Sequence, residues 1–308
     1  MGTGSRDLRS RAARSERAPK AWRRWLAAVA LSIALAGAAS IAVEYLVGRG
    51  PFIRSIDGDR AVVWAVGDGA NGSANGRAVA GLIAREGADA VLYLGDVYKH
   101  GTEEDFEENF DTTYGRLSRL TAPTVGNHDA DREEEGYDPY WRRAHGKRPP
   151  DWYAFEAGRW TILSLDSELE GDAESEQQDW LEDHLRAPGT CRIAFWHRPR
   201  FSAGTHHGDA EQMEPLWKAL RGHAAILLSG HEHDMQRFKP IDGITQFVSG
   251  AGGAALYSLR ADDRLAFGDD DHYGALRLEL RPGVARHAFV ATDGRILDSG
   301  SVRCRPLR

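Results

Sequence analysis

Five apolar segments of this chain end directly before side chains that can bind a metal ion, and this repetition constrains the fold strongly. The segments span 61–66, 90–94, 120–125, 191–196 and 224–229, and they are followed by Asp68, Asp96, Asn127, His197 and the pair His231/His233. Apolar runs of this length predict buried strands. Proteins with an α/β sheet bind their ligands at the carboxyl ends of the strands. One such residue is typical of a turn, but the whole set indicates a shared site.

The segments around these strands predict an α/β fold. A helical pattern over 73–86 lies between the first two strands, so residues 61–94 are expected to form a βαβ unit with parallel strands. The other expected elements are a hairpin over 152–164, helices over 176–185 and 211–220, and antiparallel strands over 244–249, 276–280 and 284–291. The charged and aromatic residues 131–151 predict a long loop, a type of segment that is often functional.

The side chains at the strand ends offer carboxylate, amide and imidazole donors and no thiolate. This set favours Fe, Mn or Zn. Six or seven donors are too many for one tetrahedral zinc ion, but they suit two ions about 3.5–4 Å apart that share a bridging carboxylate. Such a pair clamps an in-line displacement at phosphorus and supplies hydroxide near neutral pH. The donor set therefore points to hydrolysis of phosphate esters.

The third strand leads into Gly126-Asn127-His128-Asp129. The carbonyl oxygen of Asn127 is a neutral donor that suits a divalent cation beside a carboxylate. His128 can keep its proton for acid–base chemistry, and Asp129 is placed to orient it. Taken alone, this sequence is more often ordinary capping chemistry in a turn, so its catalytic interpretation depends on the other strand ends.

The charge of the chain is unevenly distributed. The 308 residues have a formal net charge of −7, but residues 1–25 contain eight Arg or Lys and only two acidic residues. The remainder is therefore more acidic than the total indicates, which argues against nonspecific binding of a nucleic acid polymer. Small phosphate esters stay possible as substrates, because a metal ion supplies positive charge locally.

The N-terminal region is expected to precede the folded domain. Residues 1–25 are basic, rich in Arg, Ser and Ala, and predicted to be disordered. Residues 26–47 predict a signal sequence or a membrane anchor, because 26–43 are eighteen apolar or small residues without a charge. The folded domain is then expected over 58–308, in an exported protein that is anchored in the cell membrane or is secreted or periplasmic. Whether the segment is cleaved is left open.

The chain has two cysteines, Cys191 and Cys304, both in the expected folded part. Outside the cytoplasm a disulfide between them is permitted, and we expect one. Two free thiols are the alternative, because nothing in the sequence sets the distance between the two residues.

The joint occurrence of these motifs resembles the calcineurin-like metallophosphoesterase superfamily, in particular its purple acid phosphatase branch. The resemblance covers about residues 60–290 and rests on Gly67-Asp68-Gly69, Gly95-Asp96-Val97-Tyr98, Gly126-Asn127-His128-Asp129, His197 and Gly230-His231-Glu232-His233. It implies a four-layer α/β/β/α sandwich of two mixed sheets with a dinuclear metal site at the C-terminal ends of the strands. It further implies that Asp68 and His233 bind the first metal, that Asp96 bridges both, and that the second is bound by Asn127, His197 and His231. His128 is then the general acid beside the leaving group, supported by Asp129.

One departure from the family pattern concerns the first metal. Ala70 stands where most of the superfamily has a histidine ligand. Purple acid phosphatases share that loss and use a tyrosine three residues after the bridging aspartate, but here Tyr98 follows Asp96 by two residues and Lys99 holds the expected position. Tyr98 is therefore either a ligand, which favours Fe(III) at the first site, or a packed aromatic, which favours Mn, Fe(II) or Zn. His100 is a less favoured substitute for it as a ligand.

A second departure is Arg198, directly after His197, where bacterial relatives often have histidine. Its guanidinium either holds phosphate in a bidentate contact or is a solvated surface charge. His206 and His207 lie in a Gly-flanked loop and are candidate substrate contacts, with exposed histidines of no specific role as the alternative.

These observations predict an exported, dinuclear metal-dependent phosphatase that hydrolyses small phosphomonoesters. Metal-activated hydroxide attacks phosphorus, the two ions neutralise the developing charge, and His128 protonates the departing alkoxide. A phosphodiesterase or nucleotidase that uses the same site is the first alternative. A non-catalytic envelope protein that keeps the fold to bind a partner is the second, and only the displaced Tyr98 favours it. The sequence does not specify an oligomeric state.

Overall fold

The computed structural model describes residues 51–187 and 191–304. The basic segment 1–25 and the signal or anchor segment 26–47 lie outside the described residues. Among the described helices, none is long and apolar enough to cross a membrane. Phe52 and Ile53 are buried, so the packed core includes residues ahead of the expected domain start at position 58.

The first of two sheets has six strands and contains the predicted βαβ unit. Its parallel strands are β1 (Ala61–Val66), β2 (Ala90–Tyr93) and β3 (Thr121–Pro123), its antiparallel strands are β11 (Gly274–Arg281), β12 (Val284–Ala291) and β13 (Ile296–Arg303), and the order is β13-β12-β11-β1-β2-β3. Helix α1 (Ala74–Glu86) connects β1 to β2 and begins where the Ser73 hydroxyl accepts a hydrogen bond from the Gly76 N–H. The C-terminal ends of the three parallel strands therefore lie along one edge of this sheet.

The second sheet has seven strands in the order β10-β8-β9-β7-β6-β5-β4. They are β4 (Tyr153–Ala157), β5 (Trp160–Ser164), β6 (Cys191–Phe195), β7 (Ile226–Ser229), β8 (Met235–Phe238), β9 (Thr245–Ser249) and β10 (Leu265–Asp269). The β4–β5 hairpin was expected, and β5, β6, β7 and β9 are parallel neighbours. Strands β8, β10 and β13 were not predicted. β10 and β13 contain Gly268, Asp269, Asp298 and Gly300, which are residue types disfavoured in strands.

A helix occupies part of the segment that was predicted as a loop. The remaining helices are α2 (Glu103–Asp105), α3 (Asn127–Ala130), α4 (Tyr137–His145), α5 (Asp172–Leu185) and α6 (Glu214–Leu220), with a π-helical turn at Phe106–Phe110 and 3-10 turns at Gly115–Leu120 and Glu211–Met213. The prediction of a loop over 131–151 is wrong for α4. Tyr137, Tyr140 and Trp141 have the spacing of one helical face and pack against Phe106 and Phe110.

The two sheets pack face to face and helices cover them, which confirms the predicted four-layer sandwich. Along β6, Ile193 and Phe195 belong to the core shared with the six-stranded sheet, whereas Ala194 and Trp196 belong to a second core formed with α5 and α6. This alternation is the side-chain pattern of a strand that is buried on both faces. Both faces of β6 therefore have packing partners before the chain reaches His197.

The expected disulfide between Cys191 and Cys304 is present, with the two Cα atoms 5.7 Å apart. Cys191 begins β6 of the seven-stranded sheet, and Cys304 follows β13 of the six-stranded sheet. The bond therefore joins the two sheets covalently, at the end of β6 opposite His197.

Candidate metal centre

The predicted ligands lie in the loops that follow the parallel strands, and three of them have a left-handed backbone. The φ angles of Asp68, Asp96 and His231 are 58°, 69° and 70°. Non-glycine residues rarely adopt this conformation, and where it occurs at an active site the surrounding structure holds it in place. The turn directs each of these side chains across the edge of its sheet towards the other loops.

Glycines beside the ligands let the loops approach one another closely. A Cβ on Gly126 would lie 2.2 Å from Asp96 Oδ1, and a Cβ on Gly95 would lie 2.6 Å from His197 Nδ1. Any larger side chain at either position would push a ligand out of place. This explains why glycine precedes the ligands in the motifs around Asp96 and Asn127.

Four predicted ligands form the second half-site, which consists of Asp96 Oδ1, Asn127, His197 and His231. His197 Nε2 lies 3.0 Å from Asn127 Oδ1, 3.1 Å from His231 Nδ1 and 3.4 Å from Asp96 Oδ1. The other ring nitrogen of His197, Nδ1, lies 2.7 Å from the Leu94 carbonyl and donates its proton to it. That hydrogen bond leaves the lone pair of Nε2 free for a metal ion. Asp96, His197 and His231 have the mutual spacing of a metal-binding group.

Tyr98 lies in the first half-site, together with Asp68, His233 and Asp96 Oδ2. Its hydroxyl is 2.8 Å from His233 Nε2, 3.2 Å from Asp96 Oδ2 and 3.3 Å from Asp68 Oδ1. His233 is oriented by a contact of 2.8 Å between its Nδ1 and the Ala255 carbonyl. The shortened loop after β2 therefore still brings the Tyr98 hydroxyl among the predicted ligand atoms, and its role as a ligand stays a prediction.

The two carboxylates of the centre are buried without a Lys or Arg partner among the described residues. Asp68 is fully buried, and burial raises its pKa well above the usual range. Burial alone would also raise the pKa of Asp96, but the charge and hydrogen bond of His197 outweigh it and the pKa is lowered. Burial opposes the protonation of His197 as well, yet Asp96 raises its pKa to about 10. In the metal-free centre, protonation of His197 would supply the positive charge that a cation bound at its Nε2 supplies instead.

The pKa values of His231 and His233 are lowered, in contrast to that of His197. Burial, and then the charge of His197, lowers the pKa of His231, and burial lowers the pKa of His233 to about 4. Both imidazoles are therefore neutral near pH 7, which is the protonation state that metal coordination requires.

His128 lies at the open side of the centre. Its Nε2 is 4.0 Å from Asp96 Oδ2, its Nδ1 is 2.7 Å from the Lys99 carbonyl, and 35% of its side chain is exposed. Asp129 was expected to orient His128, and the hydrogen bonds contradict this. The carbonyl of Lys99 holds the ring of His128, and the hydrogen bonds of Asp129 go elsewhere.

Asp129 instead ties two ligand loops together. Its carboxylate accepts hydrogen bonds of 2.9 Å from both Asp96 N and Val97 N, and one of 3.0 Å from Gly126 N. Burial, and then the negative charge of Asp96, raises the pKa of Asp129 to about 7. Asp129 therefore fixes the backbone that carries Asp96 and the start of α3, and its carboxylate makes these hydrogen bonds rather than one to His128.

Arg198 has a partner that the sequence did not suggest. Its Nε and Nη2 face the carboxylate of Glu168 at 2.9–3.0 Å, and its Nη1 lies 3.3 Å from His231 Nε2. The Nε and Nη2 edge of the guanidinium is thus occupied by Glu168, so Arg198 is not a free surface charge and cannot hold phosphate through that edge.

From the sequence, Glu232 between the paired histidines could either support the ligands or lie on the surface, and the structure shows that it is buried. Glu232 is fully buried, and its Oε1 accepts hydrogen bonds of 2.9 Å from His207 N and 2.7 Å from Gly208 N. These bonds hold the His206–His207 loop over the centre, where the ring of His207 stacks on that of His231 at 3.9 Å. No local pattern indicates this contact, because the two segments are far apart in the chain.

Comparison with known proteins agrees with this geometry. Residues 63–235, more than half of the chain, match the family described as calcineurin-like phosphoesterase. Purple acid phosphatase 21 of Arabidopsis thaliana is 25% identical over 176 residues, which are 50% of this chain and 39% of that protein. The chain thus spans well under two thirds of the length of this relative.

Two solved structures share the fold. The purple acid phosphatase PPD1 from yellow lupin (Lupinus luteus) aligns with a TM-score of 0.66 and 18% identity over 82% of this chain and 55% of that one. GAP50, the anchor in the inner membrane complex of Plasmodium, aligns with a TM-score of 0.68 and 14% identity over 82% of this chain and 91% of that one. Because the family model matches more than half of its residues, this chain belongs to the calcineurin-like phosphoesterase family, and within that family it is similar to purple acid phosphatases.

Proposed function

We propose that the protein is a dinuclear phosphatase that hydrolyses small phosphomonoesters. This proposal rests on the position of the Asp96 carboxylate, whose two oxygens face two different groups of donor side chains. Its Oδ1 faces His197 and its Oδ2 faces Tyr98. A carboxylate with one oxygen in each group is suited to bridge two cations, and the other donors supply three further side chains on each side.

The bound cations would be held by the two half-sites, with Fe, Mn or Zn as the metals that this mixture of oxygen and nitrogen donors favours. When bound, they supply Lewis acidity towards the phosphate oxygens and lower the pKa of water. The chain itself contributes orientation. The Leu94 and Ala255 carbonyls hold the rings of His197 and His233, and Asp129 holds the backbone at Asp96.

His128 is the proposed general acid. Its Nδ1 donates to the Lys99 carbonyl, so Nε2 faces the centre and the solvent-accessible space beside it. In the hydrolysis, a bond forms between a water oxygen and phosphorus, and the bond from phosphorus to the alcohol oxygen breaks. The imidazolium form of His128 gives its Nε2 proton to that alcohol oxygen, which avoids the release of a free alkoxide, and the proton lost by the attacking water stays on the phosphate product or returns to the imidazole.

The test is an assay of p-nitrophenyl phosphate and bis(p-nitrophenyl) phosphate with the purified protein loaded with Fe, Mn or Zn. We expect the monoester to be preferred and two metal ions to be bound per chain. Turnover of the diester that exceeds the monoester by orders of magnitude would identify a phosphodiesterase instead. Absence of both metal and turnover would favour the non-catalytic envelope protein.

A His128→Ala variant tests the general acid, with His184→Ala as the matched control because His184 is exposed on α5. We expect His128→Ala to lower kcat by about 10²–10⁴-fold with unchanged metal content. The loss is expected to shrink for the nitrophenyl ester, whose leaving group departs without a proton, relative to an alkyl ester. An equal loss on both esters would contradict the role of His128 as an acid.

We also propose that the protein is exported, through the segment 26–47, and is either anchored in the membrane or released. The disulfide between Cys191 and Cys304 supports this proposal, because such bonds form and persist in oxidising compartments. Cell fractionation with an antibody against residues of the folded domain tests it, and recovery of the reduced protein from the cytoplasm would contradict it.

A further inference from the structure

A polar cavity opens beside His128, on the side of the centre where the alcohol departs. Its volume is about 720 Å³, and its lining consists of Lys99, His100, Thr102, Asn127, His128, Asp131, Arg132 and Glu135. Asn127 and His128 belong to both the cavity and the metal centre. An ester whose phosphorus lies over the metal centre, with its leaving oxygen near His128 Nε2, therefore places the rest of its alcohol in this cavity.

The lining of the cavity is hydrophilic and carries both signs of charge. Among the described residues, no aliphatic side chain and no Phe, Tyr or Trp contributes to it. Lys99, His100 and Arg132 offer donors, whereas Asp131 and Glu135 offer acceptors. An apolar alcohol would leave these groups without partners and would gain little from burial.

The charges of the lining partly compensate one another. Arg132 Nη1 forms an ion pair of 2.7 Å with Glu135. A strongly anionic alcohol would meet the carboxylates of Asp131 and Glu135, and a cationic one would meet Lys99 and Arg132. A hydroxyl group both donates and accepts, so several hydroxyls suit this mixture better than a charge of either sign.

Lys99 is the residue that connects the cavity to the loop after β2. Its backbone N–H donates to Asp105 Oδ1 at 2.9 Å, and its carbonyl holds His128. Both backbone groups are therefore fixed, and the residue, which is exposed, lines the cavity. Because Tyr98 already occupies the metal centre, position 99 is free to carry a side chain that serves the alcohol.

We propose that this cavity binds a hydroxyl-rich alcohol, so that the preferred substrates are phosphomonoesters of sugars or polyols. This inference rests on the proposed phosphatase function and specifies its substrate class. Lys99 and Arg132 are its specificity-determining residues, since they donate to hydroxyl oxygens of the alcohol.

The experiment compares glucose 6-phosphate with hexyl phosphate, because both are esters of primary alcohols and differ mainly in the polarity of the alcohol. We expect kcat/KM to favour glucose 6-phosphate by about tenfold or more, which corresponds to one or two additional hydrogen bonds. Lys99→Met and Arg132→Met are each expected to reduce that ratio several-fold. Lys218→Met, a matched change at an exposed lysine of α6, is expected to leave it unchanged.

Each outcome of this comparison either supports or overturns the inference that the cavity binds a hydroxyl-rich alcohol. Equal or better turnover of hexyl phosphate overturns the inference, as does a ratio that Lys99→Met and Arg132→Met leave unchanged. A clear preference for 3-phosphoglycerate over both esters would show that the cavity selects an anion and would also overturn it. If no ester is hydrolysed, the proposed function fails. The cavity is then judged by titration calorimetry, where hexyl phosphate that binds as tightly as glucose 6-phosphate contradicts the inference and weaker binding supports it.

Discussion

The two half-sites of the metal centre differ in the charge of their donors and in the sheet that supplies most of them. The first half-site takes Asp68 and Tyr98 from loops of the six-stranded sheet, whereas the second takes His197 and His231 from loops of the seven-stranded sheet. Each then receives one side chain from the other sheet, His233 and Asn127 respectively. Only Asp96 belongs to both.

In the proposed dinuclear centre, this difference would suit the two positions to cations of different charge. In the first half-site a carboxylate and a phenol lie beside Asp96, and burial together with Asp68 raises the pKa of Tyr98. The phenol therefore ionises only next to a strongly charged cation such as Fe(III). In the second half-site the donors other than Asp96 are a neutral amide and two imidazoles, which suit a divalent ion.

The largest effect is expected from the carboxylate that both half-sites share. We expect Asp96→Asn to lower kcat by about 10³-fold or more, because neither half-site then has its bridging charge. The measurements are monoester turnover and metal content by mass spectrometry. Asp59→Asn, at an exposed aspartate paired with Arg159, is the control. An Asp96→Asn protein with two bound metal ions and undiminished turnover would show that the half-sites do not share this residue.

Tyr98→Phe separates the two half-sites. If Tyr98 binds iron, the loaded protein absorbs visible light through phenolate-to-metal charge transfer, and Tyr98→Phe removes that band. We expect kcat to fall by about tenfold to a hundredfold. Asn127→Ala is expected to lower the metal content of the second half-site and to keep the band. Tyr257→Phe is the matched control, because Tyr257 stacks on His233 but, among the described residues, its hydroxyl makes no hydrogen bond to Asp68 or Asp96. Persistence of the band in Tyr98→Phe would disprove ligation.

In metal-free protein, the histidines of the two half-sites are also expected to change the stability of the fold in opposite pH ranges. The pKa of His197 is raised to about 10 by Asp96 against burial, so its stabilising effect is complete below about pH 6.5 and is lost as the pH rises through 10. Burial lowers the pKa of His233 to about 4, so its contribution is present above about pH 6.5 and is lost as the pH falls through 4.

Thermal unfolding of the chelator-treated protein between pH 4 and 10 measures this difference. His197→Gln is expected to flatten the decline on the alkaline side, and His233→Gln the decline on the acidic side. Profiles of the two variants that coincide with each other would mean that the half-sites do not differ in this property.

The smallest effect on catalysis is expected from the disulfide, which joins the sheets away from the centre. Cys191 and Cys304 are separated by 113 positions, and closure of so long a loop contributes about 4–5 kcal/mol to the free energy of unfolding in the chain-entropy description. We expect Cys191→Ser to lower Tm clearly while kcat of the remaining folded protein is unchanged. A matching loss of metal from only one half-site would reveal that the sheets move relative to each other.

Much of the centre could be predicted from the sequence because strands and their ends are local features. The apolar runs before Asp68, Asp96, Asn127 and His197 show where each strand stops, and the residue types show which chemistry is possible. The partners of Asp129 could not be predicted in this way. Its acceptor atoms face the N–H groups of Asp96 and Val97, which lie on a different loop, and adjacency in sequence suggested His128 instead.

The position of the Tyr98 hydroxyl could not be predicted from the sequence either. Its spacing from Asp96 departs from the family pattern, and the sequence left two alternatives open. The position of its hydroxyl depends on the path of the shortened loop, which Asp105 holds through the Lys99 and His100 N–H groups. Likewise, α4 was missed because its buried aromatic face becomes visible only when Phe106 and Phe110 are there to cover it.

The chain's own order of residues determined which side chains stand at the strand ends and which ions they prefer, because these properties depend on neighbours along the backbone and on the chemistry of each side chain. Only the packing of the two sheets places one oxygen of Asp96 beside Tyr98 and the other beside His197. The same packing forms the polar cavity next to His128. Such distances depend on the registers and the face-to-face contact of strands that are far apart in the chain.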